Sequence, residues 1–206
     1  AGRGRLGRAW QSQPGASLTF SLGLMLAPAD WSGLSLAVGA SIAESLHPAV
    51  QLKWPNDLWV RDRKLGGILI ETASFGEGRQ EAARYAVIGV GLNIAPRAAD
   101  GLSTPPAAVR DLEPGADVAS TLLRIAGPLV QAVLAFQDAG FGPFQARFQA
   151  RDALRDRAVA LSDGTSGTAH GVTESGSLLV HTAAGMQAIA SSEVSVRPAA
   201  AAPPAS

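Results

Sequence analysis

Tyr85-Ala86-Val87-Ile88-Gly89-Val90-Gly91-Leu92-Asn93 is an almost unbroken apolar run that carries no charge. Such a run marks a central, buried strand, so the chain must build a sheet around it and cover that sheet with other elements. Two glycines inside the run, Gly89 and Gly91, predict that another backbone or a ligand comes close there. Earlier in the chain, residues 17–24 alternate apolar with small or polar side chains, the period of a strand with one buried face. Pro28-Ala29-Asp30 ends it. Ser32 is placed to cap a helix running to about Leu46, in which Leu34, Val38, Ile42 and Leu46 form a stripe facing the core. Residues 50–54 read as a strand, Pro55-Asn56-Asp57 as a turn or bulge, and Leu58-Trp59-Val60 as a short return strand. Arg61-Asp62-Arg63-Lys64 reads as a charged turn before a strand over 65–71. Residues 75–84 read as a polar loop.

Beyond a Pro- and Ala-rich loop, a long helix is expected over 117–137, with Val118, Leu122, Ile125, Leu129, Val133 and Phe136 on one face. A second helical piece follows near 144–150. From Ala158 the character changes to short alternating strands (158–161, 168–172, 178–181, 187–190 and 194–196) separated by Gly, Ser and Asp, the pattern of a small all-β module. The expected fold class is therefore α+β, a mixed sheet packed with helices followed by a small β-module. The expected division is 1–153, 154–197 and a disordered Ala-, Pro- and Ser-rich tail over 198–206.

Net charge is zero, which argues against a general nucleic-acid or membrane-surface role. Cysteine is absent, which excludes disulfides, thiolate metal sites and a cysteine nucleophile. His47, His170 and His181 are scattered. No run of about 18 apolar residues and no signal peptide is visible, and a cytoplasmic protein is expected. The chain opens at Ala1 directly in a cationic loop. Functional loops are held between structured elements, so further sequence in front is expected.

Charge placement is more informative than charge balance. Lys and Arg together number 17, yet the lysines are just Lys53 and Lys64, in one short segment. A lysine offers a compact, mobile point charge where an arginine offers a planar fork. Asn56 and Asp57 project from the turn between them, and Gly66-Gly67 would let the next strand approach a ligand closely. Asp57 is the candidate ligand for Mg²⁺, which usually takes one or two carboxylates and keeps several waters. At the start of the chain Gly2, Gly4 and Gly7 can turn backbone N–H groups toward an anion. Arg3, Arg5 and Arg8 add charge-assisted donors, and Trp10 offers a flat face for a ring. The two segments together describe a pocket for an anionic, phosphorylated small molecule. Taken singly, the first could be an Arg-Gly tail that binds RNA loosely, and the second a surface hairpin. Trp54 and Trp59 read as packing residues.

The segments Gly2-Arg3-Gly4-Arg5-Leu6-Gly7-Arg8-Ala9-Trp10, Lys53-Trp54-Pro55-Asn56-Asp57-Leu58, Arg63-Lys64-Leu65-Gly66-Gly67 and Ile88-Gly89-Val90-Gly91-Leu92-Asn93, in this order and spacing, resemble the catalytic domain of biotin protein ligases (biotin–[acetyl-CoA-carboxylase] ligases). Arg157-Ala158-Val159-Ala160-Leu161 and Glu193-Val194-Ser195-Val196-Arg197 are similar to that family's SH3-like C-terminal domain. The resemblance implies a class II synthetase-like catalytic domain over 1–153, lacking its front, and an SH3-like β-barrel over 154–197. It implies that biotin and ATP, with Mg²⁺, give biotinyl-5′-AMP and pyrophosphate. Biotin then passes to a lysine of a biotin carboxyl carrier protein domain. Lys64, Arg5 and Asp57 would be catalytic, with Asp57 at the metal. Gly2, Arg3, Gly4, Arg5, Trp10, Asn56, Lys64, Gly66, Gly67 and Asn93 would bind biotin and the adenylate. Glu193 and Arg197 would support the ATP side. No membrane partner is expected, no nucleic-acid partner is expected from the residues present, and a homodimer is compatible. Two other readings share the fold or the ligand: a lipoate or octanoyl transferase, and a non-catalytic biotinyl-AMP sensor or transcriptional regulator. The lysine segment together with the Gly-Arg loop favours biotin and an ATP-dependent step. A basic helix-turn-helix in front of Ala1 would favour the regulator.

Overall fold

The computed structural model describes residues 2–4, 7, 9–74, 83–99, 102, 104–190 and 196–198 of the 206. Arg5, Arg8, Glu193, most of the 75–84 loop and the tail beyond Pro198 lie outside the described residues.

The first layer is a sheet of five strands, antiparallel throughout its ladder rather than mixed as expected: β3 (Ser17–Leu26), β4 (Gln51–Lys53), β5 (Asp57–Val60), β6 (Arg63–Ala73) and β7 (Arg84–Asn93), in the order β3-β7-β6-β5-β4. The apolar run is β7, paired on both sides. Its residues 86, 88, 90 and 92 are buried under helices, whereas Val87 and Gly89 are half-buried. That second face floors a cavity, which explains why glycines interrupt the run. A short antiparallel ribbon, β1 (Gly2–Arg3) with β2 (Ala9–Trp10), precedes the sheet. The ends of the cationic loop are thus paired to each other.

Helix α1 (Leu34–Leu46) lies on the sheet and is buried nearly all round, wider than the predicted stripe. A Cβ at Gly39 would come within 3.2 Å of Leu52, so a small residue lets the helix sit low on the sheet. Ser32 is not its cap. Gly33 takes that position with φ 81°, and the Ser32 N–H instead donates to Asp30. At the other end, Arg124 donates to the Leu46 carbonyl, a group that a helix end leaves open, and Arg151 donates to the carbonyls of His47, Pro48 and Val50 in the turn that follows. Helix α2 (Val118–Ala139) is capped by Asp117, which accepts from the N–H groups of Ala119 and Ser120. By length and composition alone α2 could cross a bilayer, which corrects the expectation of no such stretch. Here its Ile125, Leu129, Val133 and Phe136 are buried in the core against α1. Helix α3 (Gly142–Gln149) follows, burying Phe144 and Phe148.

The second antiparallel sheet contains β8 (Ala158–Leu161), β9 (Ser166–Val172), β10 (Leu178–Thr182), β11 (Gly185–Ile189) and β12 (Val196–Pro198), in the order β11-β10-β9-β8-β12. It is tied to the first. The Leu52 N–H donates to Arg151 O at 2.8 Å and the Ala153 N–H to Leu52 O at 2.9 Å, so residues 151–153 extend the edge of β4. Trp54, fully buried, donates its indole N–H to Gly176 O in the β9–β10 turn at 3.0 Å. Gly176 has φ 81°, and a Cβ there would lie 2.9 Å from Gly33 Cα, so the turn reaches the start of α1.

Asp152, at this junction, accepts the Leu154 N–H on Oδ1, while its buried Oδ2 finds no partner among the described residues. Burial pushes its carboxyl up from 3.8 to about 6, against the Leu154 hydrogen bond and Arg155, which lower it. The folded value lies above the unfolded one, so the folded state holds the proton more tightly. That contribution to stability is complete below about pH 4 and lost as pH rises through about 6. Keeping this carboxylate ionised in the fold costs roughly 1–3 kcal/mol. Asp152→Asn should therefore raise the melting temperature at pH 8 by several degrees relative to the parent, about 2–8 °C, and much less at pH 4.5. Thermal unfolding followed by circular dichroism at both pH values checks this. An equal shift at both would show that ionisation of Asp152 is not the cause.

Candidate active site

A cavity of about 720 Å³ opens on the face of the first sheet away from the helices. Its floor follows from strand register. Thr19 of β3 lies opposite Gly91 of β7, and Gly91 opposite Gly67 of β6. In the next row Ser21, Gly89 and Leu69 are aligned in the same way. All of them line the cavity. Leu69 apart, these side chains are small or absent, which leaves a shallow trough covered at Gly91 by the indole of Trp10.

At one end of the trough lie the two lysines. The Asp57 carboxylate sits between them, with Lys64 Nζ 2.6 Å from Oδ1 and Lys53 Nζ 3.8 Å from Oδ2. Lys53 is 8% exposed and stands over the Trp59 ring, 5.4 Å from its centroid. Lys53 and Asp57 share a face because they are directly paired between β4 and β5. Lys64 shares it because of a bulge. The register passes from Leu58↔Gly66 to Trp59↔Lys64, leaving Leu65 as the extra residue of β6. In a regular strand Lys64 and Gly67, three residues apart, would point to opposite faces; the bulge at Leu65 brings them to the same one. The bulged backbone is held by the neighbouring loop. The Lys64 N–H donates to Pro105 O at 2.8 Å, and its carbonyl accepts from the Ala107 N–H at 2.8 Å and from Asn93 Nδ2 at 3.2 Å.

Most of the expected residues converge here. Gly2, Arg3, Gly4, Trp10, Asn56, Asp57, Lys64, Gly67, Asn93 and Arg197 all line this cavity. Gly66 does not. It faces the other side, where a Cβ would run into the Gly91 carbonyl and the Leu92 side chain, so its smallness serves strand packing. Asn56 also works differently. Its Nδ2 donates to Ile68 O at 2.7 Å, and Ile68 N–H donates to Asn56 O at 2.9 Å, stitching the turn to β6 and holding Asp57 in place. Asn93 is 3% exposed. Its Nδ2 is shared between the Lys64 and Ala107 carbonyls, and its Oδ1 meets no partner among the described residues. The indole of Trp10 lies over Gly91 and donates to Thr19 Oγ1 at 3.1 Å.

The role of Asp57 as a metal ligand does not follow from this geometry. Both of its oxygens face ammonium groups, which disfavours a further cation there, and among the described residues no group of three His, Asp or Glu side chains could hold a metal ion. The residues do not fit a resident metal.

The sequence reading missed Thr19, Ser21, Leu69 and Val87. The two-residue period of β3, β6 and β7 would have revealed them once one member of each face was known to point at the cavity. It also missed Asp62, Arg97 and Arg157, for which no sequence signal exists. Arg97 donates to the Gln11 carbonyl and to its side-chain oxygen, both at 3.2 Å, tying the loop after β7 to the segment after the β1–β2 ribbon.

Comparison with known proteins gives a consistent result. The Biotin/lipoate A/B protein ligase family matches residues 1–93, and the Biotin protein ligase C terminal domain matches residues 157–197. A biotin–[acetyl-CoA-carboxylase] ligase of Paracoccus denitrificans is 31% identical over 217 residues, covering 94% of this chain and 85% of its own length. The bifunctional ligase/repressor BirA of Escherichia coli is 36% identical over 194 residues, covering 87% of this chain. That of Salmonella typhimurium is 34% identical over 210 residues, covering 97% of this chain. The chain spans 58% and 64% of the length of these two bifunctional ligase/repressors. Among solved structures, the biotin protein ligase of Aquifex aeolicus in complex with biotin and ATP is similar, with a TM-score of 0.79 and 26% identity over 95% of this chain and 84% of that one.

The contact between Trp10 and the floor can be tested directly. A Cβ at Gly91 would lie 2.5 Å from Trp10 Cε2, so Gly91→Ala must displace the indole and break its bond to Thr19. In a ¹⁵N–¹H spectrum of the four tryptophans, the indole signal assigned to Trp10 by Trp10→Phe should move while the signal of Trp54 stays. An unchanged Trp10 signal would mean that the ring does not rest on Gly91.

Proposed function

Because the chain belongs to the biotin protein ligase family, we propose that it serves as an ATP-dependent biotin protein ligase. The observation that carries the proposal is the pair of lysines held by one aspartate at the end of a trough floored by small residues. An acid with a flat, uncharged ring fits the trough, and its carboxylate then meets Lys64 where the α-phosphate must also lie.

In the first step a biotin carboxylate oxygen bonds to the α-phosphorus of ATP. The bond from phosphorus to the bridging oxygen breaks, and the electron pair leaves with pyrophosphate. The obstacle is bringing two anions together, and fixed positive charge around the phosphorus lowers it. Lys64 supplies that charge and Asp57 aims it. Lys53 adds to the local field from a position close to the Trp59 ring. In the second step the neutral ε-amine of a lysine on a biotin carboxyl carrier protein domain attacks the mixed anhydride. AMP leaves, and the amine gives up a proton. No covalent enzyme intermediate is needed, which suits a chain without cysteine.

By the family resemblance, Arg3 and Arg5 serve the carboxylate and phosphate, Trp10 and Asn93 seat the adenosine, and Glu193 and Arg197 support the ATP side. The same reading divides the chain into a catalytic part over 1–153 and an SH3-like part over 154–197, and sets the reaction in the cytoplasm. The lipoate transferase reading is less favoured. The match over residues 1–93 spans biotin and lipoate enzymes alike, whereas the match over 157–197 is to a biotin protein ligase domain.

The direct test is incubation of the full-length protein with biotin, Mg-ATP and a carrier domain, following pyrophosphate release and biotin attachment. Lys64→Ala should slow pyrophosphate release by roughly 10²–10³-fold, the usual effect of removing one donor aimed at developing negative charge. A rate within about threefold of the parent would remove Lys64 from the chemistry.

A further inference from the structure

The turn between β5 and β6 consists of Arg61 and Asp62, both left-handed, with φ of 50° and 59°. Asn, Asp and Gly are the usual residues at such positions. Asp62 has a partner in the other sheet. Its Oδ1 accepts from Arg157 Nη1 at 2.5 Å. The backbone of Arg157 belongs to the second sheet: its N–H donates to Leu154 O at 3.0 Å and its carbonyl accepts from the Ala169 N–H at 2.9 Å. Nη1 reaches Ala153 O as well, at 3.2 Å. The guanidinium is thereby held from two sides, while its Nε and Nη2 donors meet no acceptor among the described residues. Asp62 and Arg157 are 63% and 38% exposed, so the pair contributes little to stability. Its position is more telling than its strength. Both residues line the cavity, as do Lys64 and Arg197; Asp62 immediately precedes β6, whereas Leu69 and Glu71, also in the lining, lie farther along that strand.

We propose that Arg157 holds the leaving pyrophosphate in the first half-reaction and that Asp62 is the positioning residue that aims it. This rests on the ligase reading. If the attacking acid occupies the trough of Gly67, Gly89 and Gly91 and the phosphorus lies at Lys64, in-line displacement sends the leaving group beyond Lys64. That is the end formed by Asp62, Arg157 and Arg197. The new oxygen–phosphorus bond forms on the trough side, and the bridging bond breaks on the Arg157 side. The electron pair goes to pyrophosphate, whose growing charge meets two unused guanidinium donors. Asp62 takes up one side of the guanidinium and leaves the other to the phosphate. Transfer to the carrier lysine involves no pyrophosphate and should not depend on either residue.

The experiment separates the half-reactions in the full-length protein. Arg157→Ala should lower kcat/KM for Mg-ATP in pyrophosphate release by about 10–100-fold, with the KM for biotin and the transfer from preformed biotinyl-5′-AMP within about twofold of the parent. Asp62→Asn should give a smaller loss in the same parameter, about 3–10-fold, and no further loss when added to Arg157→Ala, as expected if it acts through Arg157. Binding of inorganic pyrophosphate, measured by calorimetry, should weaken in Arg157→Ala and be largely restored in Arg157→Lys, a readout independent of turnover. Equal losses in both half-reactions, additive effects of the two substitutions, or unchanged use of ATP and pyrophosphate would each overturn the proposal. A parent protein that makes no biotinyl-5′-AMP from biotin and Mg-ATP would instead overturn the ligase reading.

Discussion

Two ammonium groups stand on one face of a sheet, on strands separated by a single neighbour, and the carboxylate of Asp57 on that neighbour holds them there. Lys53 is almost buried, and an unpaired cation there would be costly. Asp57 faces both ammonium groups, close to Lys64 and at longer range to Lys53. The strand order β6-β5-β4 brings this about, because it sets the aspartate strand between the two lysine strands. Asn56 fixes the turn that presents the aspartate, and Asn93 fixes the carbonyl of Lys64. Much of the polar framework of the cavity can be traced back to keeping these three charges together.

The second sheet takes part in the same arrangement. Trp54 lies next to Lys53 in the chain, yet its indole bonds to the far turn at Gly176, so the segment bearing the lysine is anchored from behind. Residues 151–153 continue the edge of β4, and Arg151 closes the end of α1. Val196 and Arg197 of β12 then reach the cavity from the side. Moving the second sheet would disturb the segment that carries the charged cluster as well as one wall of the cavity. This argues against treating it as an appended module.

Much of this was legible in the chain itself. Most strands and helices follow from hydrophobic periodicity, because one buried face per element leaves a regular imprint. The glycines of β7 announced a close approach, and the concentration of lysine in one segment announced the charged cluster. Between them, these local signals point to the part of the sheet where the cavity and its charged cluster lie.

Other features lay beyond any local pattern. Gly66 and Gly67 are adjacent and chemically identical, yet one packs against β7 and the other floors the cavity. The extra residue at Leu65 turns Lys64 into the cavity, and that bulge exists because β5 and the 105–107 segment hold the strand from either side. Asp57 reads as a metal ligand until the two lysines are seen to occupy it. Arg157 lies 95 residues from Asp62, and nothing near either one in the sequence announces their meeting. Periodicity records which face of an element is buried, and composition records which charges are present. The sequence therefore determined most of the elements and the charged groups available to a pocket. Register, bulges and contacts between the sheets decided which side chains share that pocket, because those depend on residues far apart in the chain arriving at the same place.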